Sequence, residues 1–230
     1  MAALVVLALV GCSSTTTASG SNELLTAEGV VARFPNAEQL SLLSGVSLTG
    51  VHADTVAGPG TAHGSEVSPA PSEANGDDGN DDAVPDPAPP VGSPGALECL
   101  DRYDKLQATL PDADSVLATA FDEQGNALVV AVSFFDGSKA ARRYAKAFDE
   151  LQAFCAAQEN PTNLSLLATP EPSVVDGGRA ASYVYPDGTR SDSTSVVVGN
   201  TIVTASCTHS VDQPSHDAAV LEAVVSTLRS

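Results

Sequence analysis

Two Val-, Ser- and Thr-rich runs, residues 192–198 and 201–208, are separated only by Gly199-Asn200. A two-residue loop of this type joins antiparallel strands, because its backbone twist matches theirs. The chain therefore has to fold around a β-hairpin. A run at 180–185 pairs with the first of these strands, with Pro186-Asp187-Gly188 as the turn. Residues 115–121 and 127–135 read as a second hairpin around Asp122-Glu123-Gln124-Gly125-Asn126. This gives an antiparallel sheet of about five strands.

Helical spacing supplies what covers it. Over 138–157, Ala141, Tyr144, Phe148, Leu151 and Cys155 recur at steps of three and four, one continuous stripe. Residues 98–109 predict a short helix. Val220, Leu221, Val224 and Leu228 predict a closing helix begun by Pro214-Ser215. At 22–45, Leu24, Leu25, Val30, Val31, Phe34, Leu40, Leu42 and Leu43 form another helical pattern. Thr26 caps it, Pro35 breaks it and Gly45 ends it, with a short strand over 46–51 beyond. The expectation is a single α+β domain with helices packed against the sheet. Aromatics are only 4% and Trp is absent, so its core must rest on Val, Leu and Ala.

Residues 54–96 interrupt this pattern. They are rich in Pro, Gly, Ala and Ser, contain Asp77-Asp78-Gly79-Asn80-Asp81-Asp82, and carry no Lys or Arg. Such a segment buries too little apolar area to offset the entropy of ordering it, so it is expected to be a disordered insertion. It separates an N-terminal helical part, 22–53, from a main part, 97–230. The whole chain has 29 acids against 10 bases, a net charge of −19. That charge repels phosphate backbones and anionic lipid, excluding nucleic acid as a partner and any membrane attachment by charge.

The front of the chain offers another attachment. Residues 2–10 are apolar, too few to span a bilayer, and end in Leu9-Val10-Gly11-Cys12. The run reads as a secretory signal over 1–11, and its end looks like a bacterial lipobox. Cys12 would then be acylated, with the polar stretch to residue 21 as a tether. Several acyl chains, at ~0.8 kcal/mol per buried CH₂, anchor stably where one does not. No Lys or Arg precedes the run, which departs from the usual signal and leads us to expect a true start further upstream. The address is the extracytoplasmic face of the cell membrane.

In that compartment Cys99, Cys155 and Cys207 meet oxidant and can form one bridge. Cys99 with Cys155 would staple two helices, and Cys155 with Cys207 would staple a helix to the sheet. Buried thiols acting as small hydrophobes are the alternative. No Cys-x-x-Cys, His-Glu-x-x-His or Gly-x-Ser-x-Gly occurs, so no metal, cofactor or catalytic residue is assigned. His52, His63, His209 and His216 are read as solvated surface residues, and the Asp77–Asp82 cluster lacks the spaced ligands of a calcium loop. Lys139, Arg142, Arg143 and Lys146 share one face of the predicted 138–157 helix. They are either a wet face partnered by Asp149 and Glu150 or an anion site for an envelope phosphate or carboxylate group.

The order of Glu23-Leu24-Leu25-Thr26-Ala27-Glu28, Glu98-Cys99-Leu100, Ala131-Val132-Ser133-Phe134-Phe135, Phe154-Cys155 and a late Cys207 before a closing helix resembles a known family. It is similar to the PknH-like extracellular sensor domain of mycobacterial receptor kinases and of free actinobacterial lipoproteins. The resemblance implies one α+β domain with a central antiparallel sheet, a cleft and two disulfides. It implies that Cys99 pairs with Cys155. Cys207 would belong to a second pair whose other cysteine is missing here. No kinase segment is present. The functional expectation is a lipid-anchored, non-catalytic ligand-binding or sensor-like domain. An envelope hydrolase using dispersed carboxylates and a purely structural lipoprotein are the alternatives.

Overall fold

The computed structural model describes residues 24–57, 94–111, 113–158, 169–185 and 187–230. The elements run α1 Ala27–Arg33, α2 Ala37–Ser44, β1 Leu48–Val56, α3 Pro94–Gln107, β2 Ser115–Asp122, β3 Ala127–Phe134 and α4 Ser138–Ala156. They continue with β4 Thr169–Glu171, β5 Arg179–Val184, β6 Thr189–Val198, β7 Thr201–Ser210 and α5 Asp217–Arg229. The strands form one antiparallel sheet in the order β1-β2-β3-β7-β6-β5-β4. The fold is α+β.

Seven strands replace the five expected. Both strands beyond those five lie at the edges: β4 was not expected, and β1 is the short strand expected over 46–51, running instead over Leu48–Val56. β4 is three residues long, too short to show an alternation, and β1 carries its apolar residues unevenly. The register of β1 against β2 slips between Thr49 and His52. Gly50 sits in this bulge at φ +64, and a Cβ there would lie 2.9 Å from the Phe121 ring, so only glycine fits.

The 22–45 pattern resolves into two helices. Pro35 denies the first a continuation, and Asn36 restarts the chain with a capping box closed by Gln39. The restart turns the apolar stripe, which leaves Leu42 82% exposed while Leu40 is buried. The 54–96 boundaries also shift. Residues 54–56 belong to β1 and 94–96 to α3, and 58–93 lie outside the described residues. The signal, Cys12 and the tether lie outside them as well.

Alternation along the strands assigns the two faces. On one, Val116, Val130, Val132, Val196 and Val203 pack beneath α1, α2 and α5 in the main core, which is built of Val, Leu and Ala as the composition requires. On the other, Ile202 and Val197 receive the first half of α4 through Ala141, Tyr144 and Ala145. The second half of the α4 stripe turns to α3 instead, where Leu151 and Cys155 pack on Cys99. Cys99 and Cys155 are disulfide-bonded, the pairing the resemblance implied. Cys207 is a buried free thiol, so it is not the partner of Cys155.

Candidate functional site

β3 ends where Phe134 and Phe135 meet the β6–β7 turn, and there three separate parts of the chain converge. The Phe135 backbone N–H donates to Asn200 O (2.9 Å). The Asn200 side chain accepts from Leu25 N–H (2.8 Å) and donates to Leu25 O (3.1 Å) and Phe135 O (3.3 Å). This amide fixes the chain ahead of α1 onto the end of the sheet. On the other side Phe135 stacks tilted against Tyr144 of α4, with ring centroids 5.3 Å apart. The Tyr144 hydroxyl accepts from Gln107 Nε2 (3.2 Å), tying the end of α3 to α4.

Between these supports runs a groove. One depression of about 430 Å³ is lined by Leu106, Pro111, Phe135, Arg143 and Tyr144. A second of about 430 Å³ shares Pro111, Phe135 and Asp136 with it and extends to Leu25, Glu28 and Asn200. A third of about 300 Å³ shares Leu106 and Ala147 with the first and ends at Arg102 and Lys105. Each falls near or within the ~300–1,000 Å³ of small-molecule sites, and a mostly apolar lining with a few polar groups is their usual chemistry. Burial pushes the Tyr144 phenol up to about 12, Tyr103 adds to the rise, and the Gln107 bond opposes it. This wall is therefore a neutral hydroxyl at physiological pH.

The structure divides the basic cluster. Arg143 lines the groove. Lys146 pairs with Glu150 (3.6 Å). Arg142 donates to Ser138 Oγ (3.0 Å), and Lys139 is exposed beside it. Asp149, expected to partner this face, instead holds Arg179 of β5 at 3.1 Å. Asp149 is three positions beyond Lys146, half-exposed, and pairs across to β5 rather than along α4. Burial raises the Asp149 carboxyl above its ordinary range, with Arg179 working against it. Among the described residues, no acid lies within ion-pair distance of Lys139, Arg142 or Arg143.

A second polar constellation lies on the core face, and spacing alone could not reveal it. The solvated reading fails for His209, which is 4% exposed. Its Nε2 is 2.7 Å from Asp192 Oδ2 and its Nδ1 is 2.7 Å from Ser210 O. A carbonyl only accepts, so Nδ1 donates to Ser210 O, and Nε2 faces the Asp192 carboxyl group. Asp192 also accepts from Arg190 Nε (2.7 Å), Arg190 reaches Glu171, and Asp217 accepts from Thr194 and Ser215. Cross-strand pairing of Asp192 with Cys207, one step from His209, brings these together; period-two alternation was the available clue. These carboxylates are held by fixed donors, the pattern of a structural network.

The other histidines differ. His216 stands 3.7 Å from buried Asp122, and His52 forms an exposed pair with Asp54. His63, the Asp77–Asp82 cluster and Cys12 lie outside the described residues. Among the described residues, no group of His, Cys, Asp and Glu is arranged to hold a metal, and no helix is long and apolar enough to cross a membrane.

A seven-stranded antiparallel sheet with helices on both faces and a groove at one end defines a single-domain α+β protein. Its fold is similar to the crystal structure of the extracellular domain of PknH from Mycobacterium tuberculosis, with a TM-score of 0.52 and 10% sequence identity. The likeness covers 90% of this chain and 98% of that one. No protein-family profile matches the chain, and no curated protein sequence matches it.

Proposed function

We propose that this protein is a cell-envelope lipoprotein, anchored through Cys12, whose folded domain captures a ligand on the extracytoplasmic side without transforming it. The observation that carries the binding reading is the groove at Phe135. Its walls come from the segment before α1, the α3–β2 connection and α4, and Asn200 and Tyr144 hold them in place. The Cys99–Cys155 bridge supports an oxidising compartment. The fold likeness to an extracellular domain supports the same address.

Two measurements test the two halves of this reading. Cys12→Ser should release the protein from membranes and abolish incorporation of labelled palmitate. Native mass spectrometry of protein taken from its own envelope should show a bound small molecule. Ala140→Trp, on the helix face that lines the groove, should lose it. Bare protein in both cases would favour a structural lipoprotein, and a chemically altered ligand would favour a hydrolase.

A further inference from the structure

Resting on the groove-binding reading, we propose that the ligand is a single-chain amphiphile with an anionic head, its chain lying along Pro111, Phe135 and Leu106 and its head meeting Arg143.

The argument is one of charge complementarity. The protein carries −19, so a free anion is repelled by most of its surface. The first half of α4 is one local exception, as is the pair Arg33 and Arg229 at a separate depression beside Val198 and Leu228. The α4 segment places Lys139, Arg142 and Arg143 within five positions, none with an acid in ion-pair distance among the described residues. Arg143 alone of these lines the apolar groove. A guanidinium at the rim is suited to a carboxylate or phosphate, which it can bind bidentately, while Lys139 and Arg142 add field without contact. Arg102 and Lys105, at the third depression, are occupied by Glu98 and Asp101 and do not compete for the head.

The apolar part has its own case. Phe135, Pro111, Leu106, Ala140 and Ala147 line the first depression, and the depressions on either side share members with it. The three adjoin in series, the first meeting the second at Pro111 and Phe135 and the third at Leu106 and Ala147, which suits a chain better than a compact ring. Asp114 and Glu28 stand at the α1 end and Asp136 lines both the first and second depressions, so the anionic head is placed beyond Asp136, at Arg143 of α4.

Calorimetric titration of the full chain with dodecyl phosphate, below its micelle concentration, tests the class. Inorganic phosphate supplies the head without the chain, and dodecanol supplies the chain without the head. The expected result is one site for dodecyl phosphate, weakened by salt and about tenfold or more weaker in Arg143→Gln, with each half-ligand binding far more weakly. Arg143 is exposed, so this variant keeps the fold. Equal affinity in Arg143→Gln, or equal binding of dodecanol, overturns the anionic class and leaves groove binding intact. No binding of dodecyl phosphate also overturns the class; whether the groove reading falls with it is decided by the envelope ligand and its loss in Ala140→Trp.

Discussion

Asn200 holds both the N–H and the C=O of Leu25, a residue 175 positions earlier, within 3.1 Å of its side-chain amide. The same amide reaches Phe135 O, so one buried side chain joins the start of the domain, the end of β3 and the β6–β7 turn. Asn200→Ala leaves three backbone groups to find other partners. We expect a loss of about 1–3 kcal/mol in stability, with the Leu25 amide exchanging as fast as a free chain. Retained protection at Leu25 would show that something else fixes this strand of the groove.

The disulfide closes a span of 56 residues. α3 packs mainly on α4 and contributes nothing to the main core beneath α5. Replacing Cys99 and Cys155 by Ser should therefore cost about 2–4 kcal/mol and loosen α3 first. Hydrogen exchange should quicken across Pro94–Gln107 while β3 and β7 stay protected. Uniform loosening of sheet and helix would contradict this division of the domain.

Asp192 and His209 form one buried unit across β6 and β7. Asp192→Ala leaves His209 Nε2 without its partner and should cost about 3–5 kcal/mol, whereas His209→Ala leaves Asp192 paired with Arg190 and should cost less. The double variant should cost clearly less than the sum, and a coupling near zero by denaturant unfolding would dissolve the pair as a unit.

Alkali should expose two protected protons. Burial raises the Tyr144 phenol from 10.0 to about 12 and the Cys207 thiol from 9.0 to about 11. In both, the native state favours the protonated form. The stability they contribute is complete below pH 9 for the thiol and 10 for the phenol, and it falls as pH climbs through about 11 and 12. With no Trp in the chain, absorbance at 295 nm follows tyrosinate directly. Tyr144→Phe should delete the step near 12, and Cys207 should resist alkylation until the protein unfolds. A phenol step unchanged in Tyr144→Phe would contradict the assignment.

The sheet was legible because its signals are local. Gly199-Asn200 set the β6–β7 register, with Val198 opposite Thr201, and Asp122 closes the other hairpin by accepting from Gln124 and Asn126. The α4 stripe was visible too, though not that its two halves pack on different partners. The groove was hidden because its members come from residues 24–28, 106–114, 134–147 and 200, brought together only by the fold. Asn200 read as a turn residue, and nothing in its neighbours announces a bond to Leu25. His209 was misplaced for a related reason. It is buried on β7, and its partner lies 17 positions away on β6.

The most direct test is amide exchange on the intact protein with and without an extract of its own envelope. The account predicts slowing at Leu25, Phe135 and Arg143, reversed by washing and absent in Ala140→Trp. No change at these amides, or protection confined to the Asp192–His209 region, would contradict it.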